Sequence, residues 1–96
     1  MQKLVTFDGG APIRTIEGDY VIGISSKKET DGRVIQIASS GTVGIRKNRM
    51  MQDLAASVHK IADELADGSE GTKMELLTQF MSHLLLEAEL YDEEEA

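Results

Sequence analysis

The sequence predicts an α+β protein, in which an N-terminal antiparallel β-meander of four short strands precedes a C-terminal αα-hairpin. Two observations carry this prediction. In residues 1–47, short β-prone runs alternate with glycine-containing turns, whereas in residues 48–91 apolar residues recur at helical spacing. We expect the helical hairpin to pack on one face of the sheet, which is a common two-layer arrangement. The expected organisation is one α+β domain over residues 1–91 and an acidic tail over 92–96, frayed because carboxylates oppose the helix dipole there.

Four runs in the first half have the composition of strands, namely residues 3–7, 13–17, 20–26 and 33–38. The first ends at Asp8-Gly9-Gly10, a strong turn signal, and Asp31-Gly32 before the last run is a hairpin signal. Pro12 cannot donate a backbone hydrogen bond, so we expect the second strand to begin just after it, at an edge. Residues 43–45 are a candidate for a fifth short strand.

The first predicted helix follows the strands directly. Its apolar residues recur at the spacing of one helical face, and they are Met51, Leu54, Ala55, Val58, Ile61, Ala62 and Leu65. Asn48 has a side chain suited to the N-cap, and Gly68 stands where a helix-ending glycine is expected. The second helix is predicted to begin at Thr72, which forms the capping-box spacing with Glu75, and to run to about residue 91.

The second predicted helix is apolar on more than one side. Its main face comprises Leu77, Phe80, Met81, Leu84 and Ala88. At about 100° per residue, Leu86 points almost opposite to this face, and Leu76 and Leu90 lie to one side. Because a helix that is apolar on several sides is usually buried on several sides, and a chain this short offers little else to cover it, we expect a homo-oligomer. The candidate interface residues are Leu76, His83, Leu86 and Leu90. The alternative is that single leucines are simply exposed.

The net charge of −7 is distributed unevenly along the chain. Residues 1–48 carry seven basic and five acidic groups, a net charge of +2, whereas residues 49–96 carry three basic and twelve acidic groups, a net charge of −9. The acidic half argues against nonspecific binding to nucleic acids or anionic membranes, because such binding needs accumulated Lys and Arg. It favours a basic protein surface as partner, and the candidate contact residues are Glu64, Asp67, Glu75, Glu87 and Glu89. The alternative is that these acidic faces only provide solubility.

These features predict a small acidic, non-enzymatic interaction protein that is homo-oligomeric and acts as an inhibitor or regulator through its helical hairpin. Inhibitors that occupy a nucleic-acid-binding surface, phage anti-defence proteins among them, share this small size and acidic charge. The analogy rests on size and charge alone, because no motif of this chain carries it.

A basic, glycine-containing segment joins the last predicted strand to the first helix. Backbone N–H groups in such a loop and at a helix N-terminus bind anions, and neighbouring cations strengthen that binding. The second hypothesis is therefore a ligand-capture or sensing protein that binds a nucleotide or another phosphorylated small molecule here. Its candidate residues are Ser40, Gly41, Thr42, Gly44, Arg46, Lys47 and Arg49. The segment matches neither the P-loop nor the dinucleotide-binding pattern, and the alternative is a loop whose basic residues pair with the acidic half.

The sequence contains no pattern that indicates catalysis, metal binding or membrane insertion. The chain has no cysteine and no recognisable catalytic motif, so we predict no enzymatic activity and no cofactor. His59 and His83 each precede a carboxylate by four residues, but both lie to one side of their helix's apolar face, and we predict no metal site. No run approaches the ~20 apolar residues of a membrane span, and the N-terminus lacks the apolar run of a signal peptide. We expect a cytoplasmic protein that does not bind membranes.

Overall fold

The computed structural model describes the backbone of residues 1–95 and the side chains of residues 1–89. The chain divides into two compact units, Met1–Arg46 and Lys47–Ala96, close to the boundary predicted between strands and helices. The first unit contains four antiparallel strands and the second contains two helices, which confirms the α+β class. Within the described residues, neither helix has a stretch long and apolar enough to cross a membrane.

The four strands pair as two hairpins. Strand β1 (Gln2–Asp8) pairs with β2 (Ala11–Gly18), and β3 (Val21–Glu29) pairs with β4 (Gly32–Ser40). The described residues therefore form two separate two-stranded sheets, and the expected continuous meander, which requires a ladder between β2 and β3, is not formed. The two hairpins instead meet through their faces, because the Leu4 side chain lies over Gly23, where a Cβ would be 3.6 Å from Leu4 Cδ1.

Local departures from the predicted strands have clear physical causes. Pro12 lies inside β2 rather than before it. The register with β1 shifts between Thr6 and Phe7, which forms a bulge beside Pro12. A bulge accommodates proline because proline has no backbone N–H to donate to the ladder. The β3–β4 turn is formed by Thr30 and Asp31, one residue earlier than predicted. Residues 43–45 form a turn rather than a fifth strand, because the Ile45 N–H donates to the Thr42 carbonyl at 3.1 Å.

Helix α1 (Lys47–Ala66) begins earlier than predicted and ends where predicted. Asn48 lies inside its first turn, so it is not the N-cap. At the other end, Asp67 and Gly68 adopt positive φ angles of 48° and 88°, and the Ser69 N–H donates to the Ala66 carbonyl at 3.0 Å. These two residues reverse the chain and end the helix, as the sequence predicted from the glycine at position 68.

Helix α2 (Glu70–Glu95) is capped by Ser69 rather than by Thr72. The Ser69 hydroxyl oxygen accepts the Thr72 N–H at 3.3 Å, and the Ser69 carbonyl accepts the Lys73 N–H at 3.0 Å. The predicted capping box at Thr72 is therefore wrong by three residues. The helix continues past residue 91, where we predicted its end, and the predicted fraying of residues 92–96 falls where side chains lie outside the described part of the chain.

The buried residues of both units are small. Val21 is the buried apolar residue of the first unit, and Ala62 and Ala66 are buried near the end of α1. Along α1, Leu54 and Val58 are half-buried and continue the row of Ala62 at four-residue spacing. Other members of the predicted apolar face are exposed, namely Met51, Ile61 and Leu65. The described side chains thus leave much of the predicted apolar surface uncovered.

Candidate interaction surfaces

The acidic candidates are spread over the helical unit and are exposed. Glu64 lies on α1, Asp67 lies in the turn, and Glu75, Glu87 and Glu89 lie on α2. The unit has only four basic residues, Lys47, Arg49, Lys60 and Lys73, against twelve acidic ones. Because the acidic residues outnumber the basic ones three to one, ion pairs within the unit cannot neutralise it.

Two of those cations are already paired with carboxylates outside the candidate surface. On α1, Arg49 Nε lies 3.7 Å from Asp53 Oδ2, one helical turn away. Between the helices, Lys73 Nζ lies 2.8 Å from Asp63 Oδ1. Because Arg49 and Lys73 pair with Asp53 and Asp63, these two cations do not pair with Glu64 or Glu75. The surface that contains Glu64 and Glu75 therefore keeps its negative charge.

The ion pair between the helices perturbs the pKa of Lys73. Its hydrogen bond to Asp63 raises the pKa above the usual lysine value, desolvation opposes the rise, and the charges of Asp63 and Glu70 add to it. A group whose folded-state pKa is raised stabilises the fold fully below its unfolded pKa, and the contribution is lost as pH rises through the folded pKa. The pair therefore stabilises the hairpin at neutral pH, and this contribution begins to fall only as pH rises past the usual lysine pKa and is lost above the raised folded-state pKa.

We expect Lys73→Met to lower the melting temperature slightly at pH 7, because methionine retains the apolar stem and loses only the ion pair. Thermal unfolding followed by circular dichroism at pH 7 and pH 11 measures the effect. The difference from the wild type should begin to shrink at pH 11, because this pH lies above the usual lysine pKa, where the stabilising contribution of a raised pKa starts to be lost. Lys60→Met is the matched control, since Lys60 is exposed on α1. A difference that is equal at both pH values, or equal for the two variants, would contradict the assigned role of the pair.

The first part of the anion-site candidate is engaged within the strand unit. The Ser40 hydroxyl donates to Gln2 Oε1. Gly41 has a φ of 78°, and a Cβ built on it would lie 2.7 Å from the Asp19 carbonyl oxygen and against Gln2 Cγ. Ser40 and Gly41 thus join the end of β4 to the start of β1. This close approach, between residues 38 positions apart in the chain, explains a serine and a glycine here without any ligand.

The remaining anion-site candidates divide between the two units. Thr42 and Gly44 belong to the turn after β4, in which Gly44 has a φ of 87°, and Arg46 ends the first unit with an exposed side chain. Lys47 and Arg49 lie in the first turn of α1, in the second unit, where Arg49 is paired with Asp53. The phosphate site stays a prediction, supported chiefly by the exposed Arg46 and Lys47.

The oligomer candidates on α2 differ in exposure. Leu76 is half-buried, whereas His83 and Leu86 are exposed. Leu90 lies outside the described side chains. The exposed apolar surface is wider than these four residues, because large side chains on other sides of α2 are also at least half exposed, namely Met74, Met81, Leu84 and Leu85. Two of them, Met81 and Leu84, belong to the main face that helical spacing predicted to be buried, so part of that face is exposed, although Leu77 is half-buried.

A second apolar surface lies on the β3–β4 hairpin and was not among the predicted sites. Ile24 and Ile37 are directly opposite each other across the ladder and both are 68% exposed. Ile35, two residues from Ile37 and therefore on the same face, is 50% exposed. The sequence predicted the two strands that carry these isoleucines, but we assigned their exposed face no role. The row of isoleucines is the signal that could have identified it as an interaction surface.

The histidines do not form a metal centre in the described part of the chain. Both are exposed, His59 on α1 and His83 on α2. Among the residues searched, no three histidine or carboxylate side chains come close enough together to hold a metal ion.

Comparison with models of protein families, with curated proteins and with solved structures found no match to this chain. The function is therefore argued from the charge, exposure and contacts described above.

Proposed function

We propose that this chain is a small, non-enzymatic interaction protein that self-associates and acts as an inhibitor or regulator by binding a basic protein surface through its helical hairpin. The observation that carries the proposal is the exposed acidic surplus of α1 and α2. This unit contains three acidic residues for each basic one, and two of its four basic residues are paired with Asp53 and Asp63. Such a surface attracts a cationic partner over distances comparable with the Debye length, about 8 Å at physiological salt.

The self-association part of the proposal is supported by exposed apolar side chains. Leucines 84, 85 and 86 are each more than half exposed in succession on α2, which places apolar surface on several sides of one helix. A helix that is apolar on several sides is usually buried on several sides, because removing apolar side chains from water is favourable. A partner molecule, in this proposal a further copy of the chain, removes that surface from water.

The alternative function, capture or sensing of a phosphorylated small molecule between Gly41 and Arg49, has less support. Ser40 and Gly41 have structural roles at the end of β4, and Arg49 is paired with Asp53. Fewer groups are then available to an anion than the sequence suggested. Inhibition of a nucleic-acid-binding protein, as by phage anti-defence proteins, is one form that the leading proposal can take.

The proposal is tested with a triple variant, Glu64→Gln, Glu75→Gln and Glu89→Gln, which keeps size and removes three exposed charges. A basic protein retained by the wild-type chain at low salt, once purified, should bind the triple variant about tenfold more weakly, since each exposed ion pair contributes up to about 1 kcal/mol. Its affinity for the wild type should fall as salt is raised. Titration calorimetry at three salt concentrations measures both effects.

A charge-matched control separates the hairpin from the rest of the chain. Glu17→Gln, Glu29→Gln and Asp31→Asn remove three exposed charges from the strand unit instead. This variant should retain nearly wild-type affinity for the purified partner. Equal weakening by both triple variants, or an affinity that does not change with salt, would show that the acidic hairpin is not the binding surface.

A further inference from the structure

Strand β4 has an edge that pairs with no other strand among the described residues. It is nine residues long and bonded on one side to β3. Arg33 is its one charged residue, it contains no proline, and it has no bulge against β3. Natural proteins usually blunt such edges with charges, prolines or bulges, because a row of unpaired N–H and C=O groups is a template for another strand.

The other strand edges are less suited to pairing. β1 carries Lys3 and Asp8, β2 carries Pro12, Arg14 and Glu17, and a register shift between Thr6 and Phe7 distorts their pairing. β3 ends in three charged residues, Lys27, Lys28 and Glu29. β4 is therefore the strand whose edge combines length, regular geometry and little charge.

We propose that β4 pairs antiparallel with β4 of a second copy, which joins the two β3–β4 hairpins into one four-stranded sheet. This inference deepens the self-association part of the proposed function by naming its surface. The pairing is self-complementary, so a two-fold axis relates the copies and the open edge is used up. It also brings the exposed Ile35 and Ile37 of the two copies side by side on one face.

The hairpin geometry sets the register of this pairing. The two-residue turn at Thr30 and Asp31 makes Glu29 and Gly32 the hydrogen-bonded pair that closes the ladder. By alternation along β4, the backbone groups that point to the open edge belong to Arg33, Ile35, Ile37 and Ser39. A register centred on Gln36 pairs Ile35 with Ile37 of the second copy and lets all nine residues of β4 take part.

Charge also favours this surface as the contact between copies. In the register centred on Gln36, Arg33 lies opposite Ser39 of the second copy, so no like charges meet across the new ladder. The half of the chain that contains β4 has a net charge of +2, whereas the helical half has −9. The strands that form the contact therefore belong to the half of the chain without a net negative charge, so like-charge repulsion between them is small.

The absence of native cysteine permits a direct test by disulfide formation. In the proposed register Gln36 faces itself across the axis in a non-hydrogen-bonded pair, with about 4.5 Å between Cα atoms, which a disulfide can span. Gln36→Cys should form a covalent dimer under mild oxidation, seen on a non-reducing gel. Ser25→Cys is the matched control, because Ser25 is the exposed cross-strand neighbour of Gln36. The two copies of residue 25 would be three strand spacings apart, about 14 Å, beyond the reach of a disulfide.

A charge pair provides a second measurement that needs no cross-link. Gln36→Lys and Gln36→Glu each place two like charges at the axis, so each variant alone should sediment as a monomer, whereas an equimolar mixture should recover dimers.

Cross-linking of residue 25 as rapidly as residue 36, or no loss of dimer in either charged variant, would overturn the pairing. If the wild type is oligomeric but residue 36 does not cross-link, the β4 surface is wrong and self-association stands. If the wild type is a monomer by native mass spectrometry, self-association fails, and binding of a basic partner is judged separately by its salt dependence.

Discussion

Gly41→Ala is expected to lower the free energy of unfolding by about 2–4 kcal/mol, from left-handed backbone strain together with overpacking. The φ of 78° at this position is unfavourable for any residue with a Cβ. The added methyl group would also meet the Asp19 carbonyl oxygen at 2.7 Å and press against Gln2 Cγ. Neither neighbour moves freely, since Gln2 is paired in β1 and Asp19 links the two hairpins. Denaturant unfolding followed by circular dichroism measures the loss.

Gly44→Ala separates the two causes of that loss. Gly44 has a similar φ of 87°, but no atom lies within 4 Å of the position its Cβ would take. We therefore expect only the conformational cost, about 1–2 kcal/mol. A larger loss for Gly41→Ala identifies Gly41 as a packing glycine at the end of β4. Equal losses would mean that the site is not crowded, and would restore Gly41 as a candidate for backbone contact with an anion.

Patterns among residues close together in the sequence predicted much of the secondary structure. Helical spacing located both helices, and Asp67-Gly68 located the end of α1. The N-cap of α2 was predicted wrongly at Thr72, because its capping-box spacing with Glu75 was a stronger signal than Ser69, which is also a suitable capping residue. The structure selects Ser69 because Asp67 and Gly68 already reverse the chain, which leaves Ser69 as the last residue before helical geometry begins.

Contacts between distant residues could not be predicted in the same way. The packing of Leu4 over Gly23 joins two hairpins by their faces, and alternation within each strand does not show which face meets which hairpin. The hydrogen bond from Ser40 to Gln2 connects residues at opposite ends of the strand unit. Without that contact, the serine and the glycine before a basic segment suggested only phosphate binding, whereas the structure also gives them a structural role. The edge of β4 is open both in the expected meander and in the two observed hairpins, so it could have been inferred from the predicted strand order.

Ala62→Leu should lower the free energy of unfolding by about 1–3 kcal/mol, the usual cost of inserting a larger side chain into a packed contact. Ala62 is 4% exposed, and the 2.8 Å contact between Asp63 and Lys73 places α2 beside this turn of α1. Small residues at positions 62 and 66 allow the helices to approach closely, so the leucine must push them apart. Ala56→Leu is the matched control, because Ala56 is exposed on the same helix and its replacement should change stability by less than about 0.5 kcal/mol. Urea unfolding of both variants measures the two changes in the free energy of unfolding. If Ala62→Leu is as stable as the wild type, α1 and α2 do not pack through this face. In that case a closed helical hairpin does not present the acidic surface.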